Sequence, residues 1–167
     1  MKGEKMQTQP LFSEVAPGLF MGGTLDSATI DQPQQLNGLN ATDHFDCVVT
    51  MYAWAAPANW GIEERRFGIP DAAINEKTLP VILELAHWAH SRWQSGKKVN
   101  IRCQAGWNRS GLVTALVLMI SGMSAEDAIT TLRQKRSPYA LCNSHYEAWL
   151  LTEASNYINQ WKVGNAA

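Results

Sequence analysis

The stretch VNIRCQAGWNRSG, residues 99–111, restricts the fold of this chain more than any other. Its first residues, Val99 to Ile101, form a short apolar run typical of a buried strand, and an apolar helix-forming run begins at Leu112. The residues between them are therefore predicted to lead from a strand into a helix. Gly106 lies within this loop, where glycine permits a positive φ or a close backbone approach.

A loop of this kind is suited to an oxyanion, because its N–H groups and the positive end of the helix dipole favour a phosphate-sized dianion. Arg109 adds a planar guanidinium that binds two oxygens at once. The same field favours the thiolate form of Cys103, which is the nucleophilic form. A nucleophile and an anion receptor in one loop indicate attack on a phosphate ester.

Each of these residues also has a structural interpretation. A lone cysteine at a strand end is commonly a small buried apolar residue, Arg109 can be a surface cation, and Ser110 can cap the helix. An arginine at a helix N-terminus is unfavourable, however, unless an anion compensates its charge. The combination of Cys103, Gly106, Arg109 and Ser110 therefore favours a catalytic loop.

A cysteine, five residues, an arginine and a hydroxyl residue, here Cys103 to Ser110, resemble the signature of the cysteine-dependent protein tyrosine phosphatases. The chain length favours the dual-specificity branch of that superfamily. The resemblance extends from about Val15 to Trp149, and it implies an α/β fold with a small central mixed sheet flanked by helices. One departure is that the family usually has histidine before the cysteine, where this chain has Arg102.

The resemblance also implies roles for the site residues. Cys103 would attack phosphorus to form a cysteinyl-phosphate, and Ser110 would assist the cysteine as it leaves. Arg102 and Asn143 would support the loop, as would Arg136, although Asn143 is equally suited to cap the last helix and Arg136 to be a last-turn cation. The phosphate would be bound by the loop residues Gln104, Ala105, Gly106, Trp107, Asn108 and Arg109.

A phosphate monoester also needs a proton on its leaving oxygen, which requires a general acid in the same pocket. Asp71 follows Ile69 and Pro70 at the end of a predicted strand, about thirty residues before the cysteine, as in the family. The alternative is an ordinary turn residue after proline. Glu76 and Glu64 are weaker substitutes for the acid role.

The rest of the chain predicts a single phosphatase-like domain over residues 11–162, between flexible segments 1–10 and 163–167. A turn and a short strand are expected within Phe12–Gly23, and further strands at Asp46–Met51 and Arg65–Ile69. Helices are expected over five segments: Leu25–Leu39 with an interruption at Pro33, Lys77–Ser95, Leu112–Ile120, a helix capped by Ser124 that runs to about Lys135, and Asn143–Trp161.

Composition narrows the function. The net charge is −1 without a basic run, which argues against nucleic acid and an anionic membrane as partners. The three cysteines are widely spaced and odd in number, the first ten residues lack the apolar core of a signal peptide, and the longest apolar stretch is too short to cross a bilayer. We therefore expect a cytoplasmic protein. Glu84, His87 and His90 share a helix face, but no metal or other cofactor is predicted.

The predicted function is hydrolysis of phosphate monoesters, with a phosphorylated protein or a small phosphate ester as substrate. Phosphotyrosine, phosphoserine and phosphothreonine remain open. Two alternatives are a weak or inactive phosphate-binding module, which Arg102 suggests, and an RNA 5′-triphosphatase or other non-protein phosphatase. The absence of a basic stripe argues against the RNA substrate.

Overall fold

The computed structural model describes residues 10–24 and 45–165, and the five strands in these residues form one mixed sheet with the order β1-β2-β5-β3-β4. The strands are β1 (Phe12–Ala16), β2 (Leu19–Gly22), β3 (Cys47–Thr50), β4 (Glu63–Arg66) and β5 (Val99–Arg102). β1 is antiparallel to β2, whereas β2, β5, β3 and β4 run parallel. The predicted α/β class with a small mixed sheet is confirmed.

Helices pack around this sheet. They are α1 (Leu79–Gln94), which follows a 3₁₀ turn at Glu76–Thr78, α2 (Arg109–Ile120), α3 (Ala125–Lys135), α4 (Ser144–Thr152) and α5 (Ala154–Gly164). Every residue of α2 from Ser110 onward is buried, because α2 lies between the sheet and the helices α1, α3 and α4. A helix in this central position must be apolar on all sides, as α2 largely is.

Several predicted boundaries differ from the observed ones. The strand predicted at Arg65–Ile69 is Glu63–Arg66, because its parallel pairing with β3 places Glu63 opposite Cys47 and Arg66 opposite Thr50. The region Phe12–Gly23 holds two strands, and Gly18 makes the turn between them with φ +83°. The central helix begins at Arg109 rather than Leu112. The helix predicted at Leu25–Leu39 lies outside the described residues.

The last predicted helix, Asn143–Trp161, is two helices. The backbone of Glu153 departs from helical geometry with φ −116° and ψ −33°, and α5 starts directly afterwards. No glycine or proline marks this break in the sequence, so the periodicity alone indicates one helix. α5 reaches Gly164, whereas the sequence placed the end of the domain at residue 162.

The sheet fixes where a site can form. β3 and β5 are parallel neighbours, with Thr50 opposite Arg102, so the chain leaves both strands at the same edge of the sheet. Carboxyl ends of parallel strands are where loops of α/β proteins build their sites. The loop from β5 into α2 lies at this edge. Within the described residues, no helix has the length and apolar character needed to span a membrane.

Candidate active site

The predicted nucleophile lies at the end of β5 in a protected position. Cys103 is 2% exposed, and its Sγ is 3.3 Å from Oγ of the buried Ser110 in the first turn of α2. The distance lets the hydroxyl donate a hydrogen bond to a thiolate. The structure therefore brings together the predicted nucleophile and the residue predicted to assist its departure.

The phosphate loop, residues 103–109, has its carbonyl groups tied to the surrounding protein. Four consecutive carbonyl oxygens accept hydrogen bonds from outside the loop: Gln104 from the Thr24 N–H (2.9 Å), Ala105 and Gly106 from the Arg136 guanidinium (3.4 and 3.1 Å), and Trp107 from the Leu141 N–H (3.0 Å). With the carbonyls turned toward the protein, the N–H groups are left for the opposite side, where an anion beside Cys103 would lie.

Gly106 is the residue that allows this loop to close. Its φ is +77°, and an added Cβ would lie 2.4 Å from the Gly22 carbonyl carbon and 2.7 Å from Nη2 of Arg136. Two requirements, left-handed backbone and close packing, thus coincide at one position, and only glycine meets both. The sequence predicted a positive φ or a close backbone approach at Gly106, and both are present, the close approach being to β2.

Arg136 is a buried support of the loop and not the last-turn surface cation considered as the alternative. Besides the loop carbonyls, it donates to the Pro10 carbonyl (2.6 Å) and to Ser13 Oγ (3.2 Å), so it joins the N-terminal strand to the loop. Burial lowers the pKa of its guanidinium to about 10, which leaves it charged at neutral pH.

Arg109, at the start of α2, is held by one hydrogen bond and one ring contact, and its Nε has no partner among the described residues. Its Nη1 donates to the Ile69 carbonyl at 3.1 Å, and its guanidinium carbon lies 5.2 Å from the centre of the Tyr52 ring. Its Nε is buried and has no hydrogen-bond partner among the described residues. A fixed guanidinium with an N–H that has no partner among the described residues is suited to binding a phosphate oxygen.

The predicted general acid lies against the loop. One carboxylate oxygen of Asp71 accepts a hydrogen bond from Asn108 Nδ2 at 2.9 Å, and the other accepts from Asn143 Nδ2 at 2.7 Å. Asn143 also caps α4, since its Oδ1 accepts from the His145 N–H at 3.0 Å. The capping interpretation of Asn143 is confirmed, and its contact with the loop is made by its backbone N–H, which donates to Asn108 Oδ1 at 2.9 Å.

Residues 31–156 match the family model of the dual specificity phosphatase catalytic domain. The chain is a member of the dual specificity phosphatase family. The α/β fold and the Cys-X₅-Arg sequence of residues 103–109 are consistent with this family match.

Solved structures resemble this dual specificity phosphatase closely in fold. The crystal structure of Tk-PTP in its active form is 26% identical, covers 88% of this chain and 97% of that chain, and has a TM-score of 0.69. Human DUSP28 is 20% identical over 90% of this chain and 96% of its own, with a TM-score of 0.71. A mouse putative dual specificity phosphatase complexed with zinc tungstate is 21% identical, with coverages of 98% and 96% and a TM-score of 0.70. No curated protein matches the chain in sequence.

Arg102, where this phosphatase departs from the usual family histidine, has hydrogen-bond partners on β3 and β4. It is 2% exposed, its Nε donates to Thr50 Oγ1 at 3.0 Å, and its Nη2 donates to the Ala56 carbonyl at 2.6 Å and to Glu64 at 3.1 Å. It therefore ties β5 to β3, to β4 and to the loop that follows β3. Arg66 binds the same loop, with its Nη1 donating to the Ala55 carbonyl at 2.7 Å.

Glu64, a weaker candidate for the general acid, belongs to this support instead. Burial by itself would raise the pKa of its carboxyl, but hydrogen bonds from Thr50, the Ala58 N–H and Arg102 outweigh burial and lower it. A carboxylate fixed in its ionised form beside an arginine is not placed to deliver a proton to the loop. Glu76, the other substitute, opens the exposed 3₁₀ turn before α1.

The face of α1 that carries His87 and Glu84 contacts α5 and β4. His87 stacks on Trp161 of α5 at 4.4 Å, and Glu84 lies 3.8 Å from Arg65. Burial, with a contribution from the charge of His90, lowers the pKa of His87 to about 4. In the described part of the chain, no three histidine, cysteine, aspartate or glutamate side chains cluster as metal ligands would.

Sequence reasoning missed two supports of the site. The buried Tyr146 donates its hydroxyl proton to the Pro70 carbonyl at 2.9 Å, directly before Asp71. Leu141 adopts φ +59°, unusual for a residue with a branched side chain, and thereby offers its N–H to the Trp107 carbonyl. Helical spacing marks Tyr146 as a core residue, but neither contact carries a signal in the sequence.

Proposed function

We propose that this chain hydrolyses phosphate monoesters through a cysteinyl-phosphate intermediate, with phosphotyrosine and/or phosphoserine and phosphothreonine in proteins as substrates. The observation that carries the proposal is the placement of Cys103 Sγ, 3.3 Å from Ser110 Oγ, in a loop whose carbonyl groups accept hydrogen bonds from the surrounding protein. Family membership supports a cysteine-based phosphatase.

In the first step, the Cys103 thiolate attacks phosphorus in line as the phosphorus–oxygen bond to the alcohol breaks. Arg109 and the loop N–H groups bind the non-bridging oxygens, which carry the charge of the transition state. Protonated Asp71 transfers its proton to the leaving oxygen, so that an alcohol departs rather than an alkoxide. The products are the free alcohol, a cysteinyl-phosphate and an ionised Asp71.

In the second step, water attacks the cysteinyl-phosphate while Asp71 accepts one of its protons. The phosphorus–sulfur bond breaks, and sulfur leaves as a thiolate that accepts a hydrogen bond from the Ser110 hydroxyl. Inorganic phosphate is released and Asp71 is again protonated. The cycle needs no other reactant than water.

Two features favour an active protein phosphatase over a silent binding module. The charge of Arg102 is paired with Glu64 at 3.1 Å, and the Cys103–Ser110 contact of 3.3 Å is present together with that pair. The rings of Trp107 and the exposed Tyr139 lie 5.4 Å apart, offering an aromatic surface beside the loop for a peptide side chain. A cytoplasmic location is part of the proposal, since three widely spaced cysteines, an odd number, favour a reducing compartment.

The first test is substitution of the nucleophile. Cys103→Ser should abolish turnover of an aryl phosphate yet retain binding of inorganic phosphate, because the loop N–H groups and Arg109 remain. Cys47→Ala is the matched control, since this buried cysteine lies in β3. Normal turnover by Cys103→Ser would refute the covalent mechanism, and phosphate binding without turnover by the unmodified protein would favour the binding module.

The second test concerns the acid and the substrate class. Asp71→Asn should slow alkyl phosphates by about 10² to 10³-fold and aryl phosphates, whose alcohols leave more readily, much less. Equal slowing of both would assign the acid elsewhere. Release of phosphate from phosphopeptides, phosphoinositides, nucleotides and triphosphorylated RNA then separates the substrate classes, and preference for a non-peptide substrate would overturn the protein assignment.

A further inference from the structure

We infer that the side chain of Asn108 positions the Asp71 carboxylate at the phosphate loop. This role differs from phosphate binding through the loop backbone, which the sequence predicted for Asn108. The inference rests on the proposed function of Asp71 as acid and base. It makes one side chain of the phosphate loop responsible for the geometry of proton transfer.

The Asn108 side chain does not make the hydrogen bond that is usual for asparagine directly before a helix. It is the residue before the first turn of α2, and its carbonyl accepts from the Leu112 N–H at 2.8 Å. Asparagine at this position ordinarily caps the helix with its side-chain oxygen. Here the side chain makes no cap hydrogen bond. The amide is instead turned toward Asp71.

The orientation of the Asn108 amide follows from its other partner. Its Oδ1 accepts a hydrogen bond from the backbone N–H of Asn143 at 2.9 Å, and only the oxygen of an amide can accept from an N–H. Nδ2 must therefore face the opposite way, where it lies 2.9 Å from Asp71 Oδ2 and 3.4 Å from Cys142 Sγ. The Asn143 backbone therefore sets the orientation of Asn108, so that the Nδ2 group donates to Asp71.

Both carboxylate oxygens of Asp71 accept a hydrogen bond, one from the residue that caps α4 and one from the phosphate loop. Asn143 Nδ2 donates to Oδ1 at 2.7 Å and to the Ala72 carbonyl at 3.0 Å, which fixes the acid segment to the start of α4. The Asn108 side chain is the contact that joins Asp71 to the phosphate loop, next to Arg109. Since Asp71 itself is exposed, packing does not fix its position.

This geometry bears on both chemical steps. Two N–H donors fix the orientation of the Asp71 carboxylate, the group that gives up a proton in the first step and accepts one in the second. A small displacement of such a group lowers the rate sharply. Asn108 is therefore a positioning residue whose effect should grow with the need for proton transfer.

The test compares leaving groups in Asn108→Leu, which keeps the approximate side-chain size and removes the side-chain hydrogen bonds to Asp71, Asn143 and Cys142. We expect turnover of an alkyl phosphate to fall at least about tenfold more than turnover of p-nitrophenyl phosphate, whose leaving group needs less protonation. Asn156→Leu is the matched control, because Asn156 is an exposed asparagine on α5. Its ratio of alkyl to aryl turnover should equal that of the unmodified protein.

A double-mutant cycle separates positioning from a general structural effect. When Asp71 is already Asn, the Asn108→Leu change should add little to the loss of alkyl phosphate turnover, because it acts through the missing acid. An unchanged leaving-group ratio in Asn108→Leu, or fully additive losses, would overturn the inference alone. Equal slowing of all esters by Asp71→Asn would overturn the acid assignment and the inference with it.

A second variant covers the case in which Asn108→Leu does not fold. Asn108→Asp retains an oxygen to accept from the Asn143 N–H but removes the N–H that donates to Asp71 Oδ2. The leaving-group ratio should then change in the same direction. A ratio equal to that of the unmodified protein would overturn the inference.

Discussion

The phosphate loop and the segment that carries Asp71 face one another across the site, but they are held in different ways. The loop is fixed from inside the protein: Cys103 and Arg136 are buried, and the loop carbonyls are tied to neighbouring elements. Asp71 is exposed, and amide side chains hold its carboxylate. The proposed receptor for phosphate is thus part of the core, whereas the proposed proton donor is attached to its surface.

This difference has a functional meaning. A receptor for a charged transition state works best when its donors are already in place, which favours burial and strong backbone packing. A residue that alternates between giving and accepting a proton must exchange with water, which favours an exposed segment of low local stability. Changes to the phosphate loop should therefore damage both stability and binding, and changes around Asp71 should affect mainly proton transfer.

The largest effect should come from Gly106→Ala. The new Cβ meets the backbone of β2 and the next residue at 2.4 and 2.6 Å, and φ is +77°, so the loop must open or β2 must move. Strain of this kind costs on the order of 3 kcal/mol. We expect the free energy of unfolding, measured in urea, to fall by about that amount and phosphate affinity to fall by about a hundredfold.

The control for this prediction is Gly96→Ala. Gly96 also has a positive φ, +87°, but no atom lies within 4 Å of an added Cβ. This change should cost only about 1 kcal/mol and leave phosphate affinity intact. If both variants lose equal stability and Gly106→Ala still binds phosphate, the close packing of the loop against β2 is not what shapes the receptor.

The contrast between the two regions also explains what the sequence could predict. The phosphate loop was predictable because its chemistry is local: nucleophile, glycine, arginine and hydroxyl stand at fixed offsets between a strand and a helix. Asp71 became a candidate through its spacing of about thirty residues before Cys103, which resembles the family, whereas the strand predicted directly before it ends earlier, at Arg66. Its partners were not predictable, because Asn143 is 72 residues away and Asn108 is 37 residues away.

Arg102 illustrates the same limit. The absence of the family's histidine before Cys103 suggested a weakened catalyst, but Thr50 and Glu64, the partners of the buried Arg102, are 52 and 38 residues earlier in the chain. Only the parallel pairing of β3 with β4 and β5 brings them beside it. A substituted residue in a signature can thus take a new structural task when the sheet supplies an oppositely charged neighbour.

A second, smaller effect is expected from Arg136→Met, which keeps much of the buried side-chain volume. It removes the donors to Gly106 and Ala105 and leaves their carbonyls buried without a partner, at a cost of about 2 to 3 kcal/mol. Catalytic efficiency on an aryl phosphate should fall about tenfold as the loop loosens.

Arg92→Met provides the comparison for Arg136. Arg92 pairs with Glu63 at 2.8 Å, but its side chain is 40% exposed and the pair lies on the surface of β4 and α1. Its loss should cost less than about 1 kcal/mol and leave catalysis unchanged. If Arg136→Met is no more harmful than Arg92→Met, the loop does not depend on its buried support.

The smallest effect should come from Tyr146→Phe, which acts on the acid segment. Burial raises the pKa of the Tyr146 phenol to about 12, so at neutral pH the hydroxyl keeps its proton and donates it to the Pro70 carbonyl. Phenylalanine preserves the ring packing, and the lost hydrogen bond costs about 1 kcal/mol. Alkyl phosphate turnover should fall about three- to fivefold, with phosphate affinity unchanged, whereas Tyr157→Phe on α5 should alter neither. A loss of phosphate affinity in Tyr146→Phe as large as that in Gly106→Ala would show that the two regions form one rigid unit, because a defect at the acid segment would then have reached the receptor.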